Sequence, residues 1–426
     1  MKQIIKRGSF FTLMFMLLGC LSLYAADNDL ITEQITIELE KAGTLPGRIG
    51  GSKKYKITNL KIIGEINGTD LNKIREMAGR NSKGDSTYGK LSVLDLSEAK
   101  IVEGGDCYYY DDADYYYTSE CYTSNDVIGS YAFSGCSGLT SLTLPDGITE
   151  IGDRAFYGCS GLTSLTLPDG ITKIGDRTFY DCSGLTSLTL PDGITKISGG
   201  TFWDCSGLTS LTLPAGITEI GSEAFRGCSG LTSLTLPDGI TEIGSEAFRG
   251  CSGLTSLTLP DGITEIGSEA FRGCSGLTSL TLPDGITEIY NGTFYGCSGL
   301  TSLTLPAGIT EIDSEAFYGC SGLTSVYVYA EKVPKIYSDV FLGVDAKKCT
   351  LYVPMGTRDD YRFSGFGYYF ENIVEFDATG IDKTTTSTDV EEVGRYSVNG
   401  QRLSAPTKGL NIVKYSDGSV KKVAVR

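Results

Sequence analysis

The chain contains 426 residues with a formal net charge of −16 and no histidine. So large an acidic excess disfavours a nucleic-acid partner held by electrostatic attraction. The absence of histidine excludes Ser-His-Asp and Cys-His catalytic arrangements as well as His-ligated zinc. No other nucleophile–base pair or phosphate-binding loop is recognisable, so the sequence predicts a protein that is not an enzyme and holds no cofactor or metal.

Residues 1–26 are predicted to be a secretory signal, because basic residues precede an apolar run at 10–18 and small residues follow it. Two processing routes fit this segment. The stretch 25–27 offers a signal peptidase site, which we favour. The stretch 17–20 resembles a lipobox, in which Cys20 would be lipidated. Either route exports the chain and leaves no transmembrane segment in the mature protein.

Residues 27–90 contain no repeat and are predicted to form a small α+β N-terminal cap. The alternation at 35–39 and the apolar run at 60–63 are typical of strands. Thr69 or Asp70 is expected to cap a short amphipathic helix. A solenoid needs such a cap, since its first coil otherwise presents an open edge to solvent.

Residues 98–126 interrupt the repeat with a Tyr- and Asp-rich insertion. In an exported protein its two cysteines, Cys107 and Cys121, are the best disulfide candidates. The tyrosines offer contact area for a partner, but the insertion can equally be an acidic surface loop that shields one flank. The aspartates at 111–114 lack EF-hand spacing and give only a weak calcium signal.

A 23-residue repeat dominates the region 91–345, and its regular copies span 136–324. Copies 228–250 and 251–273 are identical. Self-similarity at this period predicts a solenoid. A cysteine opens each copy, at Cys136, Cys159, Cys182, Cys205, Cys228, Cys251, Cys274, Cys297 and Cys320. Stacked side chains run parallel and suit a disulfide poorly, so these thiols are expected to be free and buried.

Each copy is predicted to form one coil of a mainly β fold. In the copy that starts at Cys251, residues 256–259 form a strand that turns its leucines to one face. Pro260 ends this strand, and Gly262 is expected to supply a positive φ there. A second short extended piece follows at 263–266, and a helical turn closes the coil. Stacked coils would join the strands into a parallel sheet over one continuous core.

The segment from Cys228 to Cys251 resembles the leucine-rich repeats of the BspA-like family. The residues that carry the resemblance form the pattern CxxLxxLxLPxxIxxIxxxAFxGC. That family is found in secreted and surface proteins of Bacteroidetes and some protists. The resemblance implies a leucine-rich repeat solenoid and a role in adhesion to host matrix proteins or other microbes.

The C-terminal part is predicted to close the solenoid and then form a separate small β domain. Residues 346–376 resemble the end of BspA-like arrays and are assigned to a C-terminal cap, followed by a polar linker at 377–394. Residues 395–426 resemble the sorting domain of type IX secretion cargo, which would be recognised by secretion machinery. The alternative is a β module without a sorting role. The matching residues are Tyr396, Asn399, Gly400, Arg402, Lys408, Gly409, Ile412 and the terminal Lys-Val-Ala-Val at 422–425.

Three outward-facing positions recur through the copies and could contact a partner. One is a set of exposed hydroxyls, from Ser141 and Thr143 to Ser302 and Thr304. The second is an acidic series whose repulsion a bound calcium ion or solvent screening could relieve: Glu219, Glu242, Glu265, Glu288 and Glu311. The third, the candidate binding stripe, consists of Tyr157, Tyr180, Trp203, Arg226, Arg249, Arg272, Tyr295 and Tyr318.

Aromatic residues and arginine are enriched at protein interfaces, so the stripe is the preferred candidate for binding. A purely structural interpretation competes with it. Glu223 stands three residues before Arg226, and the next two copies repeat this spacing, which suits local ion pairs. Arg154 and Arg177 stand three residues before tyrosines and are expected to make local cation–π contacts.

The sequence therefore predicts a non-enzymatic, exported leucine-rich repeat protein at the outer surface or secreted. Its expected partners are proteins or glycans on host or microbial surfaces, bound through a repetitive surface that sums many weak contacts. The alternative is a structural spacer of the cell envelope, whose near-identical copies only provide length.

Overall fold

A computed structural model describes residues 30–110, 121–378, 392–397, 402–403, 405, 409–415 and 420–425. The chain divides into two compact units, Met1–Phe376 and Asp377–Arg426. The predicted signal segment with Cys20, the stretch 111–120 and most of the linker lie outside the described residues.

The parallel sheet begins earlier than the sequence indicated. The alignment of Leu60 with Leu94, and of Leu94 with Leu142, puts strands before residue 91 into the same ladder as the repeats. The N-terminal segment is thus both a cap and the first part of the sheet. Its elements are β1 (Ile35–Leu39), α1 (Leu45–Arg48), a 3-10 helix (Gly51–Tyr55), β2 (Asn59–Ile66), α2 (Gly68–Met77) and β3 (Val93–Ile101).

Helix α2 begins at Gly68, and its N-cap lies two residues before the nearer of the two expected cap residues. Its N-cap is Asn67, whose side chain accepts a hydrogen bond from the backbone N–H of Thr69 at 3.1 Å. Asp70 completes the capping box by accepting from the backbone N–H of Asn67 at 3.0 Å. The prediction of Thr69 or Asp70 as the cap is therefore wrong, because a carboxylate at the third helical position serves the cap residue instead.

The insertion begins later than the predicted residue 98, because strand β3 continues to Ile101. Beyond the strand, Gly104 pairs with Thr123 in an antiparallel bridge that brings the two ends of the insertion together. Cys107 and Cys121 form a disulfide with their Cα atoms 4.9 Å apart.

The repeats form a parallel solenoid in which each coil contributes two short strands. The strands of the Ser-Leu-Thr ladder are β5 (Ser141–Thr143), β7 (Ser164–Thr166), β9 (Ser187–Thr189), β11 (Ser210–Thr212), β13 (Ser233–Thr235), β15 (Ser256–Thr258), β17 (Ser279–Thr281), β19 (Ser302–Leu305) and β21 (Ser325–Val328). The second ladder contains β4 (Val127–Ile128), β6 (Glu150–Ile151), β8 (Lys173–Ile174), β10 (Lys196–Ile197), β12 (Glu219–Ile220), β14 (Glu242–Ile243), β16 (Glu265–Ile266), β18 (Glu288–Ile289), β20 (Glu311–Ile312) and β22 (Lys335–Ile336).

Glycine is favoured at the turn between coils and required three residues before the strand, and not at the predicted position 262. Gly250 has φ of +75°, which L side chains rarely adopt. A Cβ on Gly253 would lie 2.4 Å from the Ser229 carbonyl oxygen of the preceding coil. Gly262 is not among the glycines with positive φ, so the prediction for that turn is wrong.

A continuous column of phenylalanine rings fills the core opposite the sheet. Neighbouring rings are stacked with centroids 5.2–5.6 Å apart, and all are fully or almost fully buried. The column consists of Phe133, Phe156, Phe179, Phe202, Phe225, Phe248, Phe271, Phe294, Phe317 and Phe341.

The repeat cysteines are free and buried beside the phenylalanine column. From Cys159 to Cys320, each thiol donates a hydrogen bond of 3.0–3.2 Å to the phenylalanine carbonyl 26 residues earlier. Cys251, for example, bonds the carbonyl of Phe225. Burial raises the pKa of Cys251 to about 12.

We expect the ladder thiols to be almost inert in the folded protein. Only the thiolate reacts with disulfide reagents, and a pKa near 12 instead of 9.0 lowers the thiolate fraction at pH 8 about 1,000-fold. Ellman's reagent should therefore label these thiols slowly at pH 8 and completely in guanidinium chloride. Rapid labelling of any of them without denaturant would contradict the buried ladder.

The first unit closes with two strands and two short helices. These are β23 (Thr350–Pro354), α3 (Arg358–Arg362), α4 (Phe366–Tyr369) and β24 (Asn372–Phe376), and β24 is the last strand of the sheet β17-β19-β21-β23-β24. Tyr361 is fully buried and donates its hydroxyl to the Ala330 carbonyl at 2.7 Å. This contact ties the closing helices to the segment that follows β21.

The second unit is an antiparallel sheet of order β26-β25-β27-β28. Its strands are β25 (Glu392–Ser397), β26 (Arg402–Leu403), β27 (Gly409–Tyr415) and β28 (Val420–Val425). Tyr396 pairs with Arg402 across the first hairpin. The predicted turn at 399–400 lies outside the described residues.

Candidate binding surface

The structure brings the eight predicted stripe residues into one continuous line. Each follows a phenylalanine of the buried column. The two consecutive side chains point in opposite directions, so the phenylalanine ring faces the core and the stripe residue faces solvent. Backbone hydrogen bonds keep these turns in register from coil to coil, as between Gly227 N–H and the Arg249 carbonyl and between Gly250 N–H and the Arg272 carbonyl, both 2.7 Å.

The N-terminal part of the stripe is an aromatic cluster. Tyr157 and Tyr180 stack with centroids 4.7 Å apart, and Trp203 lies 4.9 Å from Tyr180 at a tilt of 56°. Trp203 has the guanidinium of Arg226 at 4.5 Å and that of Arg177 at 5.8 Å from its ring centroid. Tyr157 is 38% exposed and forms the outer end of the cluster.

The middle of the stripe is a zigzag of ion pairs. The predicted local pairs exist, at 3.4 Å for Glu223 with Arg226 and 3.0 Å for Glu246 with Arg249. Shorter pairs cross between coils, at 2.5 Å from Arg226 to Glu246 and 2.6 Å from Arg249 to Glu269. Because each of these two arginines contacts two carboxylates, its charge is already neutralised within the protein.

Two tyrosines end the stripe. The guanidinium of Arg272 lies 4.1 Å from the ring centroid of Tyr295, and Tyr295 stacks on Tyr318 at 4.7 Å. The stripe thus has two aromatic ends joined by an ion-paired middle.

The cation–π contacts of Arg154 and Arg177 differ from the prediction. Arg154 lies 5.5 Å from the ring of Tyr131 and donates to its hydroxyl, while Arg177 faces Trp203. Both partners belong to neighbouring coils. Both arginines have a left-handed backbone, with φ of 51° and 53°, so the geometry of a regular helical turn on which the prediction was based does not apply.

Sequence reasoning missed two aspartates beside the aromatic cluster. Asp181 and Asp204 stand where other coils have the turn glycine, and both are exposed with φ of 54° and 56°. Partial burial and the neighbouring Asp204 raise the pKa of Asp181. Burial, Tyr157 and these two aspartates raise the pKa of Tyr180. The sequence did contain a signal for these aspartates, because two adjacent copies lack the glycine that the other copies have at this turn.

We expect Asp181→Gly to stabilise the protein by about 1 kcal/mol, because glycine adopts the left-handed turn without steric cost. The gain should grow as the pH rises through the carboxyl's titration. A raised pKa in the folded state means that ionised Asp181 is better tolerated in the unfolded chain, so its penalty begins as the pH rises above the unfolded-state pKa and is complete above the folded-state pKa. Urea unfolding at about pH 3 and pH 7 measures both effects; a loss of stability at neutral pH would contradict them.

The Ser-Leu-Thr ladder presents alternating hydroxyls to solvent and leucines to the core. Its pairing is interrupted at three places, between β7 and β9, between β11 and β13, and between β15 and β17. A cleft of about 620 Å³ lies across the first of these interruptions. Its lining includes Ser164, Thr166, Asp169, Ser187, Thr189 and Asp192.

The acidic series is paired only at its ends. Lys196 contacts Glu219 at 2.8 Å, and Lys335 contacts Glu311 at 3.4 Å. Within residues 30–110, 121–378 and the described strands of the tail, no three Cys, Asp or Glu side chains converge as a metal site would require. Asp111, Asp112 and Asp114 lie outside the described residues.

Comparison with known proteins identifies the repeat. The family model described as the BspA type leucine rich repeat region, in six copies, matches residues 126–255 and 218–348, together just over half of the chain. No curated protein matches the chain. In the part of the chain that the structure describes, no helix is long and apolar enough to cross a membrane.

Several solved structures are similar to this chain, among them the following three. The leucine-rich repeat protein TpLRR of T. pallidum is 36% identical over 35% of this chain and 69% of its own, with a TM-score of 0.34. A leucine-rich repeat protein from Bacteroides ovatus is 26% identical over 60% and 82%, with a TM-score of 0.38. A leucine-rich cell surface protein from Faecalibacterium prausnitzii is 25% identical over 56% and 79%, with a TM-score of 0.26.

Proposed function

This chain belongs to the BspA-type leucine-rich repeat family, and from that premise we propose that it is an exported, non-enzymatic protein that binds macromolecules at the cell surface. The observation that carries the proposal is the continuous stripe of aromatic residues and arginines along one flank of the solenoid. Such residues supply most of the binding energy in protein interfaces.

Within the stripe, the two aromatic ends are the better binding positions. The arginines between them contact the protein's own glutamates, so a partner would have to break ion pairs to use them. Trp203 and Tyr295 are four coils apart, which corresponds to about 20 Å at the usual strand spacing. Two aromatic patches at this distance suit an extended partner that contacts both.

Loss of binding on removal of the aromatic ends would test the proposal. The exported protein is compared with a variant in which Tyr157, Trp203, Tyr295 and Tyr318 are replaced by serine, on immobilised basement-membrane extract and on fixed bacterial cells. A control variant replaces the exposed pair Ser256 and Thr258 by alanine. Binding lost only in the first variant, with unchanged circular dichroism, supports the stripe. A folded wild-type protein that binds neither surface favours the spacer function instead.

Surface display rests on the signal-like residues 1–26 and on the resemblance of residues 395–426 to a type IX sorting domain. Protease treatment of intact cells, followed by mass spectrometry of the mature termini, tests both. Release of peptides from 136–324, with loss of the tail near 380–394, is the expected result. Full protection with the tail still attached would place the protein in the periplasm and exclude the adhesive role.

A further inference from the structure

We propose that the N-terminal aromatic end of the stripe, formed by Tyr157, Tyr180 and Trp203 with Asp181 and Asp204 beside them, docks a basic protein segment through its lysine or arginine side chains. The inference rests on the proposed function and specifies the partner for one end of the binding surface. It depends on which groups at this end are already paired and which are open to a partner.

The two arginines that cover Trp203 are already ion-paired. Arg226 contacts Glu246 at 2.5 Å and Glu223 at 3.4 Å, and its guanidinium also covers one side of Trp203. Arg177 lies 3.6 Å from Glu223 and near the same indole. Neither arginine is therefore free to neutralise a carboxylate beside the aromatic cluster.

The two aspartates at the same place have no such partner. Throughout the described residues, no ion pair or side-chain hydrogen bond involves the carboxylate of Asp181 or Asp204. The backbone N–H of Asp181 donates to the Trp203 carbonyl at 2.8 Å, which joins the two adjacent coils at these turns, and the charge of Asp204 is close enough to raise the pKa of the Asp181 carboxyl. A cationic side chain placed between them would relieve this repulsion.

The aromatic rings suit the stem of such a side chain. Tyr180 is covered on its two sides by Tyr157 and Trp203, so the cluster presents mainly ring edges and hydroxyls to solvent. The coil before Tyr157 has Ser134 at the equivalent position, and the outer face of Tyr157 therefore has no stacked ring. An arginine or lysine can lay its methylene stem along the edges, or its head over Tyr157, and reach the carboxylates.

The same features disfavour other ligand classes. A sugar ring needs a free aromatic face of its own size, and this cluster offers one at most, the outer face of Tyr157, since the faces of Tyr180 and Trp203 are occupied by neighbours. Nucleic acids and sulfated glycans would meet the unpaired carboxylates and the chain's charge of −16. The acidic rim therefore favours a basic protein segment, with an apolar or aliphatic part against the tyrosines.

The repeat itself supplies variants that test the docking site. Asp181→Gly with Asp204→Gly introduces the residue that six other copies have at this turn, so the fold should be kept. Glu242→Gln with Glu265→Gln removes the same number of negative charges from the exposed acidic series. The two double variants have equal net charge, and a difference between them reports the local site.

The probe is a fluorescein-labelled Arg-Ser repeat peptide, with a Glu-Ser repeat peptide as its counterpart, titrated with the exported protein and followed by fluorescence anisotropy. We expect the basic peptide to bind, the acidic peptide not to bind, and the aspartate-to-glycine variant to lose about tenfold in affinity. The glutamine variant should stay within about twofold, since it lies outside the site.

Equal loss in both variants would overturn the proposal, because binding would then follow net charge alone. No binding of the basic peptide by the unaltered protein would also overturn it. Neither result affects the proposed function, which depends on whether the aromatic-to-serine variant loses matrix or cell binding. Conversely, the basic peptide could bind as expected while the protein binds neither matrix nor cells. That result would support the docking site and exclude the adhesive role.

Discussion

Replacing Phe248 by alanine is expected to lower the free energy of unfolding by about 3–5 kcal/mol, the usual cost of deleting a buried aromatic side chain. Phe248 is fully buried and its ring lies 5.3 Å from Phe225 on one side and 5.3 Å from Phe271 on the other. Each neighbour is itself stacked on a further ring. The cavity therefore cannot close by movement of either neighbour, and the upper part of the range is expected.

The loss should also change the shape of the transition. Each coil contacts only its neighbours, so a defect in the middle of the array weakens the coupling between its two halves. Urea unfolding followed by circular dichroism should show a lower midpoint and a broader, less cooperative transition. Phe248→Leu, which keeps part of the volume, should give an intermediate loss with cooperativity retained.

An exposed phenylalanine provides the matched control. Phe363 is 84% exposed, and its replacement by alanine should change stability by less than about 0.5 kcal/mol. Equal effects at Phe248 and Phe363 would contradict the structural role of the column. So would a loss at Phe248 below about 1 kcal/mol, because coils that tolerate the cavity are not held together by the ring stack.

The period alone was sufficient to predict which side chains face inward. In near-identical copies the same position occupies the same place in every coil. The apolar pattern of a single copy therefore predicts the burial of Leu257, Ile266, Phe271 and Cys274. The free, buried thiols follow from the same reasoning. What the period does not contain is the contact between one copy and the next, since that depends on backbone conformation at the turns.

The stripe illustrates this limit. The pair Glu223 and Arg226 is visible as a spacing of three, but the shorter contact from Arg226 to Glu246 joins residues twenty positions apart. Glu246 has a left-handed backbone with φ of 56°, and its carboxylate reaches back to the preceding coil. The glutamate itself gives no indication that its backbone is left-handed. Gly200 and Gly292, which occupy the same position in two other copies, could have indicated this conformation.

The N-terminal region was predicted less well because it does not share the period. Leu60 and Leu94 are neighbours in the sheet but 34 residues apart, and an insertion separates Leu94 from Leu142. Strand propensity identified the strands at 35–39 and 60–63. Their membership of the same ladder could not be inferred, since unequal connections hide the register.

The second large effect is expected at this end of the molecule, from Asp70→Ala. Asp70 is fully buried, and its carboxylate accepts from the backbone N–H groups of Gly43 at 2.5 Å, Leu45 at 2.8 Å and Asn67 at 3.0 Å. Alanine leaves three donors without their acceptor. Hydrogen bonds to a charged group contribute about 1.5–3 kcal/mol each, and with partial compensation by water we expect a loss of about 3–4 kcal/mol.

The loss should be confined to the cap at first, because the three hydrogen bonds of Asp70 join the chain at Gly43 and Leu45 to the start of α2, all within the cap. Hydrogen exchange should therefore accelerate in residues 35–78 while the amides of β13 to β17 stay protected. Asp70→Asn keeps one acceptor oxygen and should lose less. Asp261→Ala, at an exposed repeat position, is the control and should leave exchange unchanged. Uniform acceleration along the array would show instead that the cap and the repeats unfold as one unit, and that a solenoid of identical coils depends on its first strand throughout.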